Sequence, residues 1–315
     1  MRTFPFSLLV CACMAVLLGL RFGLEPLAVR VAGAIAESAA GPPEGVMALP
    51  PKPEGLDQRP AGEDGAGEGQ ALLTLDGCMA MAADVRDVCL QALARQQAGR
   101  DPVGALQVCD RIQDEALRLE CDADVAETIA PRDRAAAEAI CVKIPVMKWR
   151  GQCHFGIGLA LAELDPAYAL GRCEHAEAFR DFCRHDVVGE IALEDVEPAI
   201  AFCAREEGDT LTRKTCWHGI GKYLARRDFR EAATACERGT ESWRGNCYHG
   251  IGWGAAERDV DAALVSCDTV PRYADNCRQG VAHQLKRFDP ARGIALCEGI
   301  ATSSIRERCL AFLKR

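Results

Sequence analysis

The stretch CWHGIGKYLARRDFREAATAC, residues 216–236, decides the fold. Ile220 follows Cys216 by four residues, so cysteine and isoleucine fall on one face of a helix, one turn apart. Twelve residues after Cys216 comes Asp228, a side chain that caps helix N-termini by accepting from the first free backbone N–H groups. Ala232 and then Cys236 follow at further steps of four, a second helical face with a small residue one turn before its sulfur. The stretch reads as helix, turn, helix, with a cysteine on the buried face of each.

The same block recurs along the chain. From Cys89, Cys121, Cys153, Cys183, Cys216, Cys247 and Cys277 the next cysteine is always 20 residues on, at Cys109, Cys141, Cys173, Cys203, Cys236, Cys267 and Cys297. Cys78 opens the series and Cys309 closes it. The reverse gap, from first to second cysteine of a unit, varies between 10 and 13 residues. A unit of 30 to 33 residues is therefore repeated eight times from about residue 71 to the end. The other columns agree. Four residues after the second cysteine stands Leu93, Val125, Ile157, Val187, Ile220, Ile251, Val281 or Leu313. Four before it the side chain is mostly large and apolar, as at Trp149, Phe179 and Trp243. Asp101, Asp133, Asp165, Asp195, Asp228, Asp259 and Asp289 fill the turn position, three of them followed by proline at the first helical position. The small column holds Ala105, Ala137, Ala169, Ala199, Ala232, Ala263 and Gly293.

Helix lengths choose the sulfur partners. From a second cysteine to the Asp is about 18 Å of helix, and from the Asp to the next first cysteine about 12 Å. Those two sulfurs are offset by about 6 Å on axes about 8–10 Å apart, beyond the Cα separation of about 7 Å that a disulfide bridges. The two cysteines flanking the variable loop lie near one end of the hairpin on both helices. The sequence thus predicts an all-α, right-handed α-solenoid of eight helical hairpins, one disulfide per hairpin: Cys78 with Cys89, Cys109 with Cys121, Cys141 with Cys153, Cys173 with Cys183, Cys203 with Cys216, Cys236 with Cys247, Cys267 with Cys277 and Cys297 with Cys309.

Paired cysteines at this density belong to an oxidising compartment. No Cys-x-x-Cys occurs, which leaves zinc-ribbon and thioredoxin-like readings without a motif. Phe4 to Leu20 is uncharged behind Arg2, so residues 1–36 read as a signal peptide or an N-terminal membrane anchor. Both export the remainder, to the periplasmic or extracellular side, and an uncleaved segment 4–20 would attach it to the inner membrane. Residues 37–70 read as a flexible linker, since residues 41–70 hold six prolines, seven glycines and six acidic side chains with little to bury. The formal net charge of −9 argues against nucleic acid as a partner.

The small positions Gly156, Gly219, Gly250, Ala169, Ala199 and Ala232, with the turn Asp165-Pro166-Ala167-Tyr168-Ala169-Leu170, resemble the tetratricopeptide-like α-solenoids, in particular their disulfide-bearing bacterial variety. The resemblance covers residues 71–315 and implies a protein-interaction scaffold.

Three features bear on function. Gly-Ile-Gly occurs at 156–158, 219–221 and 250–252, where glycine costs a helix about 1 kcal/mol against alanine; it serves either close packing of neighbouring hairpins or a bare floor for a ligand. His185, His218 and His249 share one column, two residues after the second cysteine. At ordinary interaxial distances they stand about 10 Å apart, too far to share one metal ion. His154, His175 and His283 fall off that column. Arg86, Arg118, Arg150, Arg180, Arg213, Arg244 and Arg306 stand three residues before the second cysteine, and an acidic residue often follows the first; they form either hairpin ion pairs or a ladder for an acidic partner.

No catalytic, cofactor or metal set emerges, and an enzyme is not expected. The expected function is an exported scaffold binding a protein or peptide partner in the cell envelope, with Phe155, His185, Trp217, His218, Tyr248 and His249 as its contact strip. A thiol-based metal or redox protein and a passive envelope spacer are the alternatives.

Overall fold

The computed structural model describes residues 73–205 and 210–314; the leader and the linker lie outside them. The described residues form sixteen α-helices and two short 3-10 turns, without a strand. In chain order they pair into hairpins: α1 (Leu75–Met79) with α2 (Ala83–Ala98), α3 (Pro102–Cys109) with α4 (Glu115–Ile129), α5 (Arg134–Lys143) with α6 (Met147–Leu161), and α7 (Pro166–Cys173) with α8 (Arg180–Glu194). There follow α9 (Val196–Arg205) with α10 (Thr210–Arg227), α11 (Phe229–Glu237) with α12 (Glu241–Ala256), α13 (Val260–Asp268) with α14 (Ala274–Leu285), and α15 (Pro290–Glu298) with α16 (Ser303–Leu313).

Each hairpin carries its own disulfide, Cys78–Cys89, Cys109–Cys121, Cys141–Cys153, Cys173–Cys183, Cys203–Cys216, Cys236–Cys247, Cys267–Cys277 and Cys297–Cys309, with Cα atoms 5.3 to 5.7 Å apart. The sulfurs are buried. By loop closure alone each bridge contributes about 2–3 kcal/mol, a term comparable with the burial of one large apolar side chain. Eight such bonds mark a chain that folds in an oxidising environment.

The turn position behaves as its chemistry requires. All seven Asp side chains accept a backbone N–H from the first turn of the following helix, at 2.8 to 3.1 Å. The aliphatic column after the second cysteine is buried in every repeat, as is the small column. The column before it is mixed: Tyr273 and Ile305 are buried, Leu117, Trp149, Phe179 and Trp243 are partly buried, and Val85 is exposed. Val85 belongs to the first repeat, which no other hairpin precedes among the described residues.

Packing follows one rule. Each first helix lies against the second helix of its own hairpin and the second helix of the preceding one, while consecutive second helices pack on each other. The second helices therefore form a continuous spine, tightest over α8, α10, α12 and α14. Glycine sets that tightness. Gly219 rests on the carbonyl of His185, Gly250 on that of His218 and Gly280 on that of His249, each so close that a Cβ would overlap the oxygen. Gly221 and Gly252 meet the carbonyls of Cys247 and Cys277 on the other side in the same way. The Gly-Ile-Gly segments of repeats 5 and 6 thus serve backbone-to-backbone contact. In repeat 3, Gly156 faces the Glu127 side chain and Gly158 the Ala169 carbonyl and Val187, so no bare floor remains there.

Gly250→Ala forces α10 and α12 apart and should cost roughly 1–3 kcal/mol, the range for overpacking a filled contact. Gly171→Ala, where nothing lies within 4 Å, should be neutral or stabilising. Thermal melts of the two oxidised variants check this; equal melting points would contradict the packing rule.

Candidate functional site

The close spine changes what the histidine column can do. With backbones in contact, side chains two residues after the second cysteine lean onto each other instead of standing about 10 Å apart. The rings of His185 and His218 have centroids 4.9 Å apart, and those of His218 and His249 4.8 Å. His283 extends the row: its ring lies 4.8 Å from His249, with His249 Nε2 and His283 Nδ1 at 2.9 Å. Four imidazoles therefore run across α8, α10, α12 and α14.

The first end of the row is polarised by Asp186. Its carboxylate lies 2.5 Å from His185 Nδ1, and His185 Nε2 lies 2.7 Å from His218 Nδ1. A carboxylate only accepts, so His185 holds a proton on Nδ1. When neutral it offers Nε2 to the Nδ1–H of His218, which leaves His218 Nε2 as an acceptor. The Tyr223 hydroxyl adds a second hydrogen bond to Asp186, and Gly189 leaves the space its ring occupies. The far end is aromatic. Trp253 stands edge-on to His218, His249 and His283, and Phe312 stacks on His283 at 4.0 Å.

The electrostatics follow from enclosure. Burial holds His218 and His249 well below the usual imidazole range, reinforced by their neighbouring rings, and lowers His283 to about 4. Burial also lowers Lys222. For Asp186 burial pushes upward, but the hydrogen bonds from His185 and Tyr223 and the charge of Lys222 outweigh it and keep the carboxylate ionised.

Beside the row lies an open cavity of about 380 Å³. It is lined by His185, Asp186, His218, Lys222 and Trp253. Phe182, Lys214, Thr215 and Asn246, from the preceding turn of the same helices, complete the lining. Among the described residues no group of three or more His, Cys, Asp or Glu side chains converges as a metal site would require.

Other sequence-selected residues have different places. Trp217 and Tyr248 are 2% and 3% exposed and belong to the core. They follow the second cysteine directly, a position that turns toward the hairpin loops: Trp217 packs on Gly239, and Tyr248 stacks on Tyr273 at 4.6 Å and donates to Glu237. A partner cannot reach them. Phe155 shares the histidine column but is half-buried in the core of repeat 3. The arginine column splits. Arg150, Arg244 and Arg306 donate back to loop carbonyls of their own hairpins, and Arg244 also pairs with Glu237 at 3.1 Å. In repeats 4 and 7 the acidic residue after the first cysteine pairs instead with Arg184 and Arg278, one residue past the second.

Asp186, Lys222, Trp253 and His283 carry the site and were not legible one column at a time. Lys222, Trp253 and His283 each stand six residues after a second cysteine, one turn beyond the histidine column. A joint reading of the two columns as one helical stripe points to them.

Comparison with known protein families, curated proteins and solved structures gives no match to this chain.

Between pH 7 and 4 the unfolded chain takes up histidine protons near pH 6.5 while His154, His218, His249 and His283 stay neutral in the fold. Stability should therefore be full above about pH 6.5 and fall below it, by up to about 1.4 kcal/mol per pH unit for each such group. Denaturation midpoints across that window measure the slope, and His283→Gln should make it shallower. A flat profile would contradict the buried neutral row.

Proposed function

We propose that the protein is an exported scaffold of the cell envelope that captures a protein or peptide segment in the cavity of repeats 4 to 6. The observation that carries this reading is the cavity itself. It joins a 60% exposed aromatic side chain, Phe182, to half-buried polar groups, Lys222, Asp186 and His218, across three consecutive second helices. Concave sites with apolar walls and a few inward polar groups are where ligands bind. A spine locked by glycine contacts and disulfides holds such groups without reorganisation on binding.

The setting supports the same reading. Sulfur pairing throughout the repeats and the apolar segment 4–20 suit an envelope protein delivered by a signal peptide or held by an anchor. The resemblance to tetratricopeptide-like solenoids favours peptide recognition. Every cysteine among the described residues is in a disulfide, which disfavours a thiol-based metal or redox role. A passive spacer has no use for an open, aromatic-lined cavity. Binding, and not catalysis, is the activity we assign.

Selection of displayed random peptides against the full oxidised chain tests this. The wild type should enrich a common motif, and Phe182→Asp should weaken capture more than tenfold with its melting point unchanged. No enrichment, or equal capture by the variant, would refute the assignment.

A further inference from the structure

We propose that the cavity recognises a carboxylate carried on a peptide, with the half-buried Lys222 as its anchor and the exposed Lys214 as a second cation. This rests on the reading of that cavity as the contact site and names the chemistry it selects.

Charge makes the first argument. The chain carries a formal net charge of −9, yet the cavity lining holds two lysines against one carboxylate, Asp186. That carboxylate is already engaged by His185 and Tyr223. An acidic molecule with a local cationic recess repels anions at long range and holds them only where geometry fits.

The placement of Lys222 makes the second. The Lys222 side chain is only 17% exposed, and its nearest carboxylate oxygen, Glu257 Oε1, lies 3.8 Å away, beyond hydrogen-bond length. Glu257 is held by Arg226 Nε at 2.6 Å. Lys222 lines the cavity, where the three donors of its ammonium are open to the acceptors of a ligand. A carboxylate supplies two acceptor oxygens and a charge-assisted bond. The Asn246 amide, in the same lining as Lys214, offers a further donor.

The walls set what the carboxylate is attached to. The Trp253 ring centroid lies 5.7 Å from Lys222 Nζ, so the carbon skeleton next to a bound carboxylate meets an aromatic surface. Phe182 extends that surface toward solvent. An acidic group flanked by apolar side chains fits this order of contacts better than a highly charged polyanion does.

Immobilised peptides on one leucine-flanked background, carrying a central Glu, Gln or Lys and ending in a free or amidated C-terminus, test the proposal with the full oxidised chain. Carboxylate-bearing peptides should be retained at least tenfold better than their Gln, amidated counterparts; the Glu and free-terminus arms show whether a side-chain or terminal carboxylate is preferred. Lys222→Met should abolish that preference. Lys214→Met, at an exposed position, should reduce it severalfold and serves as the readout if Lys222→Met misfolds. Equal retention of Glu and Gln peptides, survival of the preference in both variants, or displacement by millimolar inorganic phosphate would overturn carboxylate recognition and leave the scaffold reading intact. Retention of no peptide would remove both.

Discussion

Two helices of five to eighteen residues, rich in alanine and glycine, bury little apolar area with which to hold a hairpin closed by packing alone. The sulfur bridge across each hairpin loop supplies what the small side chains cannot. It restricts the unfolded unit and fixes the two helices face to face near their loop end. Because the bridge carries part of the stability, the rest of the surface of each helix is free to be small. That freedom lets the neighbouring second helices come into backbone contact at Gly219, Gly250 and Gly280. The imidazole row, the cavity beside it and the half-buried lysine all depend on that approach.

The site arises where the repeat departs from itself. In repeats 5 to 7 the position three residues after the second cysteine is glycine. In repeat 4 it is Asp186, and the small residue moves to Gly189, where it admits the Tyr223 ring. One exchange places a carboxylate at the head of the row and fixes the proton on His185. Likewise Lys222, Trp253 and His283 occupy one column with three different chemistries, so neighbouring repeats contribute a cation, an aromatic wall and an imidazole to one surface. A solenoid of identical units would have none of this asymmetry.

Much of the architecture was legible in the amino-acid order. The invariant 20-residue step from one second cysteine to the next first cysteine fixed hairpins, turns and sulfur partners together, because helix rise turns residue counts into distances. The Asp caps were equally plain. The burial of Trp217 and Tyr248 was not, since the residue after the second cysteine is covered by loops whose conformation no periodicity encodes. The histidine rings stand closer than ordinary helix spacing predicts for a related reason. Ordinary interaxial spacing assumes side chains between helices, and at Gly219, Gly250 and Gly280 there are none. Lys222 gave no signal alone, because a lysine on a helix is normally a solvated residue and only the closed spine half-buries it.

The pairing of sulfurs within hairpins is the premise on which spine, row and cavity stand. Proteolysis of the unreduced protein followed by mass spectrometry of linked peptides tests it directly. The account predicts eight intra-hairpin links, Cys78 to Cys89 through Cys297 to Cys309, and no free thiol among these sixteen. Links such as Cys89 to Cys109 or Cys121 to Cys141, joining one hairpin to the next, would contradict it.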